Sequence, residues 1–218
     1  HCRYCFRRHY DYGADVGADA RRWQPALEQI AADESIDEVI LSGGDPLSLG
    51  NARLGALLAK LAQLPRPVRL RIHTRTPIVL PARVDAGLLA LLAPWRERLV
   101  VVVHANHAAE IDDSVATALR ALRDTGATML NQSVLLAGVN DDAGALADLS
   151  QRLFAAGVLP YYLHQLDRVA GAAHFAVEDG RAMALHAALL GLLPGYLVPR
   201  LVREEAGAAS KTPLAIRP

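Results

Sequence analysis

Short β-branched runs alternate with alanine- and leucine-rich stretches along nearly the whole chain. This rhythm restricts the possible folds more than any other feature of the sequence. Strand-like runs lie at Glu38–Ser42, Val68–Thr74, Leu99–His104, Met129–Leu136, Leu159–Gln165 and Arg200–Arg203. Helix-like stretches lie near 17–32, 51–63, 83–93, 111–124, 143–156 and 177–192. Strands and helices that alternate at this spacing predict an α/β fold with a parallel sheet and right-handed crossovers. The strand runs read as apolar rather than strictly alternating, as expected of strands covered on both faces. No low-complexity linker interrupts the rhythm, so residues 1–218 are read as one domain, a length that α/β barrels commonly reach.

Polar residues gather where the strands end: Ser42-Gly43-Gly44-Asp45, His73-Thr74-Arg75-Thr76, His104-Ala105-Asn106-His107, Asn131-Gln132 and His164-Gln165-Leu166-Asp167. Parallel sheets place their sites at the C-terminal ends of the strands, so five such clusters predict one large polar pocket. Charge excludes some alternatives. Basic and acidic residues balance at 23 each, which argues against a protein that holds nucleic acid by bulk charge. No apolar run has membrane-spanning length, and no signal peptide is visible.

Of the 23 basic residues only Lys60 and Lys211 are lysines. Lys60 lies on the stretch NARLGALLAKLAQL, opposite a Leu54/Leu57/Leu58/Leu61 stripe, on what reads as a solvated face. Lys211 lies in a loop entered by Gly207-Ala-Ala-Ser210 and left through Thr212-Pro213, which makes it the candidate for chemistry. The only two cysteines, Cys2 and Cys5, stand three positions apart and cannot form a disulfide framework. They indicate a reducing, cytoplasmic setting and metal or redox chemistry. From the residues alone the pair fits a redox dithiol, half of a zinc site with His1 and His9, or part of an iron–sulfur site.

Cys2-Arg-Tyr-Cys5-Phe-Arg-Arg-His resembles the end of the CxxxCxxC motif of radical S-adenosylmethionine (radical SAM) enzymes, in the version of the lysine 2,3-aminomutase family. The resemblance continues through Ser42-Gly-Gly-Asp-Pro-Leu, Arg71-Ile-His-Thr-Arg-Thr-Pro, His104-Ala-Asn-His, Asn131-Gln-Ser-Val-Leu-Leu-Ala-Gly-Val-Asn-Asp, Pro160-Tyr-Tyr-Leu-His-Gln-Leu-Asp and Ser210-Lys-Thr-Pro-Leu. Its wording is most similar to the branch that makes (R)-β-lysine for elongation factor P. The resemblance implies a partial (β/α)6 barrel of the radical SAM type, N-terminally truncated. Its first strand and first cluster cysteine would then lie upstream of His1, and the fragment alone would be inactive.

What the resemblance implies for individual residues is specific. Cys2 and Cys5 match two ligands of a 4Fe-4S cluster that binds S-adenosyl-L-methionine, and Tyr4 matches an aromatic residue beside the adenine. Gly43, Gly44 and Asp45 match the GGE-type motif at the methionyl part of that cofactor. His104, Asn131 and Gln132 match positions facing the ribose or adenine, although each also reads as a satisfied polar group at a strand end. Lys211 matches the lysine that attaches to pyridoxal 5′-phosphate (PLP), within a loop at about 204–213. Arg7 matches the arginine for the substrate carboxylate, and Asp167 and Glu204 match the two carboxylates for a distal ammonium. The implied reaction is conversion of L-α-lysine to β-lysine. The indirect partners would be elongation factor P and its lysyl-transferring ligase. A glutamate or arginine 2,3-aminomutase, or a non-enzymatic zinc-binding module, remains the alternative.

Overall fold

A computed structural model describes residues 2–5 and 20–214. Its frame is one seven-stranded sheet. Strands β1 (Glu38–Leu41), β2 (Arg69–Thr74), β3 (Leu99–Val103), β4 (Thr128–Val134), β5 (Leu159–His164) and β6 (Arg200–Arg203) run parallel in chain order. The two-residue β7 (Thr212–Pro213) then turns back antiparallel on β6. Helices α1 (Ala20–Ala32), α2 (Asn51–Ala62), α3 (Thr76–Val79), α4 (Ala86–Leu92), α5 (Asp113–Asp124), α6 (Ala143–Ala155) and α7 (Asp179–Leu192) make the connections. All six expected strands and all six expected helices are present. The single turn α3 and strand β7 were not expected. The first starts where Pro77 presets the helical backbone after Arg75, and the second exists only because the chain folds back onto β6.

The two faces of the sheet differ chemically. In β2, Leu70, Ile72 and Thr74 are buried on the helix side, while Arg71 and His73 project from the inner face. Strand β4 alternates in the same way, with Met129, Asn131 and Ser133 buried and Gln132 on the inner face. The expectation of strands apolar on both faces therefore suits β3, Leu99–Val103, but not β2 or β4. Among the described residues, the helices pack their apolar side chains on the outer face, so the inner positions are free to be polar.

Two apolar clusters seal the outer face. The larger gathers Leu54, Leu57, Leu58 and Leu61 of α2 with Leu88 and Leu92 of α4, Leu119 and Leu122 of α5, and Leu70, Ile72 and Val101 of the sheet. The other packs Leu185 and Leu189 of α7 against Leu146 of α6, Leu163 of β5 and Leu201 of β6. Each fully buried leucine contributes about 1.5–3 kcal/mol over an exposed one. The α2 stripe alone thus outweighs the helix's own weak propensity terms. Aspartates start three helices: the carboxylates of Asp85, Asp112 and Asp142 accept from the N–H groups of Leu88, Val115 and Ala145 at 2.7, 2.9 and 3.0 Å.

Gly126 turns the chain from α5 into β4 with φ +94°, and a Cβ there would stand 2.7 Å from Cβ of Arg96. Gly126→Ala is expected to destabilise the fold by about 1–3 kcal/mol, measured as a lower midpoint in urea unfolding at unchanged slope.

Candidate functional site

The C-terminal ends of β1, β2 and β3 are tied together by one carboxylate. Gly43 and Gly44, with φ +90° and +59°, turn the chain after β1 in a backbone that L side chains rarely adopt. Asp45 follows. Its Oδ1 accepts from the Leu47 N–H at 3.0 Å and the Thr74 hydroxyl at 2.6 Å. Its Oδ2 accepts from the N–H groups of Arg75 at 2.7 Å and Thr76 at 3.1 Å. A carboxylate has about four acceptor positions, so Asp45 is saturated by the fold. In this structure Asp45 shapes the loop.

Arg75 is the next link. Its Nη1 donates to the Tyr4 hydroxyl at 2.6 Å and lies 3.4 Å from Cys2 Sγ, and its Nη2 donates to Glu110 at 2.5 Å. Asn106 Nδ2 also donates to the Tyr4 hydroxyl, and Asn106 Oδ1 accepts from the Val134 N–H at 2.8 Å. Burial pushes the Tyr4 phenol up to about 12 against the opposing charge of Arg75, so Tyr4 is a neutral hydroxyl. The aromatic residue expected beside an adenine is thus anchored by its oxygen. On the other side of the cysteine loop, the Arg3 guanidinium stands 5.6 Å over the Phe175 ring. Cys2 and Cys5 are half-buried, and the Cys5 N–H donates to the Cys2 carbonyl at 3.1 Å. Among the described residues no group of three or more His, Cys, Asp or Glu is arranged to hold a metal ion.

The inner wall is lined by His73, His104, Gln132 and His164. Buried Nε2 atoms of all four have no hydrogen-bond partner in the structure. His73 and His104 meet edge-on at 5.9 Å. Burial first, then positive neighbours, holds His73, His104 and His164 down to about 4, so all three are neutral. For His73 the first neighbour is His104, for His104 it is Arg75, and for His164 it is Lys211. Orphaned polar atoms on an otherwise satisfied wall are what a polar cofactor or substrate requires. Asn131 is different. At 1% exposure it faces the helix side, where its Oδ1 accepts from the Ala105 N–H at 2.8 Å and its Nδ2 donates to the Ala105 carbonyl at 3.1 Å and Ser133 Oγ at 2.8 Å. Strand alternation sends adjacent residues to opposite faces, so Gln132 reaches the site and Asn131 braces β3 against β4.

At the far end of the rim, Lys211 Nζ donates to Glu204 and stands 5.5 Å over the Tyr162 ring. Burial raises the pKa of Asp167, with the nearby Glu204 adding to the rise and Lys211 opposing it. Strand β7 begins directly after Lys211, and the Leu214 N–H donates to the Leu201 carbonyl at 3.0 Å, so the loop is tethered at its exit. The structure therefore brings Lys211, Glu204 and Asp167 together. Lys60 lies far from this rim, on α2, donating to Gln24 of α1 at 3.3 Å. Arg7, and the proposed zinc partners His1 and His9, lie outside the described residues.

Sequence reasoning placed His73, Arg75 and His164 in the strand-end clusters without giving them individual roles, and it passed over Glu110 and Tyr162.

No family model matches the chain. It is 51% identical over 216 residues to L-lysine 2,3-aminomutase of Escherichia coli (strain K12), covering 99% of this chain and 63% of that protein. With L-lysine 2,3-aminomutase of Haemophilus influenzae the identity is 51%, over 97% of this chain and 62% of the relative. With that of Clostridium subterminale it is 34%, over 98% and 51%. A solved structure described as native anSMEcpe with bound AdoMet and Cp18Cys peptide superposes with a TM-score of 0.64 at 11% identity, over 88% of this chain and 55% of that one. The chain thus shares its α/β fold with that solved structure over most of its own length. In sequence the chain is related to the L-lysine 2,3-aminomutases over nearly all of its own length, and it spans less than two thirds of the length of those relatives. Among the described residues no helix is long and apolar enough to cross a membrane.

The histidine wall sets a pH dependence. In the unfolded chain these histidines titrate near 6.5, and in the fold near 4. Between those values the unfolded chain binds protons that the folded one refuses, so stability is complete above about 6.5 and declines as pH falls towards 4. The raised Asp167 works in the opposite sense at the acid end of that window. His104→Gln is expected to flatten the decline, measured as the slope of unfolding free energy against pH.

Proposed function

We propose that this chain is the core of a PLP-dependent radical SAM enzyme that converts L-α-lysine to β-lysine. The observation that carries the proposal is the convergence of Lys211, Glu204 and Asp167 on one rim. That rim lies beside a wall of orphaned imidazole and amide groups, in a chain related to L-lysine 2,3-aminomutases.

Three groups fit the residues present. Cys2 and Cys5 would supply two thiolates to a 4Fe-4S cluster. The glycine turn at Gly43-Gly44, His104 and Gln132 would receive S-adenosyl-L-methionine, since the turn carries no side chain to block a close approach and His104 and Gln132 offer unpaired polar atoms. Lys211 would hold pyridoxal 5′-phosphate. When bound, the cluster and S-adenosylmethionine supply a radical, and PLP carries the migrating nitrogen.

The chain's own share is binding, orientation and exclusion of water. Two carboxylates at one rim favour a ligand with a distal ammonium, which lysine has and glutamate lacks. Burial raises the cost of leaving Asp167 ionised without a cation, so an ammonium there gains a partner in a partly desolvated place. Lys211 is the cation now facing these carboxylates. A substrate ammonium would take over that position when the Lys211 amine turns to its cofactor. Neutral His73, His104 and His164 add no charge to compete with either cation. Delivery of the product to elongation factor P, through its ligase in the cytoplasm, is a further part of the proposal. It is supported by the wording of Tyr161–Asp167 and of the segment 203–214.

Lys211→Ala in the full-length protein is expected to abolish borohydride-trappable PLP in the mass spectrum, whereas Lys60→Ala keeps it. Loss in the Lys60 variant instead would overturn the assignment. For Asp167→Asn, the loss of a charged hydrogen bond worth about 1.5–3 kcal/mol predicts a roughly ten- to hundredfold fall in kcat/KM for lysine. Reductant-driven cleavage of S-adenosylmethionine without lysine should change little. A parallel fall in both rates assigns Asp167 to the fold.

A further inference from the structure

Among the described residues, 2–5 form one turn in which the Cys5 N–H donates to the Cys2 carbonyl. A short turn of this kind depends on side-chain contacts for its local stability. Arg3 stands over the Phe175 ring, and Arg75 reaches both Cys2 and Tyr4.

Arg75 follows β2 directly, and its position is itself over-determined. Its backbone N–H is held by Asp45 from the loop after β1, at 2.7 Å. Its Nη2 is held by Glu110 from the loop after β3, and Oε1 of the same carboxylate accepts from the N–H groups of Asn106 at 2.6 Å and His107 at 3.1 Å. The remaining face of the guanidinium is turned on the cysteine turn. Nη1 donates to the Tyr4 hydroxyl and approaches Cys2 Sγ at 3.4 Å. Asn106, placed by the same Glu110, donates to that hydroxyl as well. The side chains of Arg75 and Glu110 are each about three quarters covered, at 25% and 24% exposure, so water screens their charges only partly.

We propose that Arg75 is the positioning residue of the cysteine turn. It locks Cys2 and Tyr4 onto the rim, and it places a fixed positive charge beside the Cys2 sulfur. The inference rests on the reading that Cys2 and Cys5 are cluster ligands, and it adds to that reading a group not among the ligands. A rigid fork pinned by carboxylate on one side and offered to a hydroxyl and a sulfur on the other is suited to this work. Lysine, with one compact ammonium, cannot span both partners. The charge has a second consequence. Each electron added to a cluster increases its negative charge, and a cation beside a ligating sulfur favours that reduced state, so Arg75 raises the reduction potential.

The test uses full-length protein carrying the complete cysteine motif, as wild type, Arg75→Gln, Arg75→Lys and Tyr4→Phe. Hydrogen exchange is read first, on the metal-free form. Amides of residues 2–5 are expected to exchange at least about tenfold faster in Arg75→Gln, Arg75→Lys and Tyr4→Phe, since an anchor of 1.4 kcal/mol corresponds to a factor of ten. Amides of β3 and α5 should keep wild-type protection. Unchanged exchange at residues 2–5 overturns the anchoring role. Should Arg75→Gln lose protection throughout, Tyr4→Phe and Arg75→Lys decide, because both keep the charge and remove only the anchor.

The second readout is the midpoint potential of the reconstituted cluster at equal iron content. A fall in Arg75→Gln, with Arg75→Lys and Tyr4→Phe closer to wild type, supports the electrostatic role. Equal potentials in all four proteins overturn it. Failure of the wild type to take up iron would instead refute the cluster reading itself. The exchange experiment would still decide the anchoring.

Discussion

Everything else in this protein depends on how its parallel sheet divides: among the described residues, helices close one face with apolar side chains and the other face is polar. Leucines and valines at alternate strand positions are buried under α2, α4, α5, α6 and α7, and that burial supplies the stability. The positions between them are released from packing. They carry Arg71, His73, His104, Gln132, Tyr162 and His164, and partly buried polar groups on that inner wall can remain unpaired because the outer face holds the fold. A sheet packed on both sides could not tolerate so many orphaned atoms.

The rim adds a second layer, in which loops that are far apart in sequence are locked by carboxylates. Asp45 binds the loops after β1 and β2 together, and Glu110 joins the loop after β2 to the one after β3 through Arg75 and Asn106. At the opposite end, Lys211 donates to Glu204, and the charges of both act on Asp167. Acidic residues therefore do different work at the two ends. At the first they are saturated by N–H and hydroxyl donors and act as scaffold. At the second, Glu204 accepts from a single amine and Asp167 is partly buried beside it.

Neighbouring residues with similar chemistry are separated by strand geometry. Asn131 and Gln132 are adjacent amides, yet one has every donor engaged between β3 and β4 while Gln132 Nε2 is unpaired on the inner face. Asp45 and Asp167 both end strand-associated clusters, and the count of donors around each distinguishes a loop brace from a candidate ammonium receptor. A guanidinium beside the cysteine turn belongs to Arg75, 73 residues after Cys2 and 71 after Tyr4 in the chain.

The sequence by itself determined the parallel βα architecture and the buried leucine stripe of α2. Period, length and composition are local properties, and they survive without knowledge of contacts. The motifs also determined which residues gather at the strand ends. Tertiary structure alone decided which side of the sheet each one faces, because a shift of one residue along a strand reverses the direction of a side chain. It alone revealed β7, which forms when the segment after Lys211 returns to β6 and has no strand signal of its own. It alone joined Tyr4 to Arg75, Asn106 and Glu110, since a hydrogen bond between residues some hundred positions apart leaves no periodic trace in the chain.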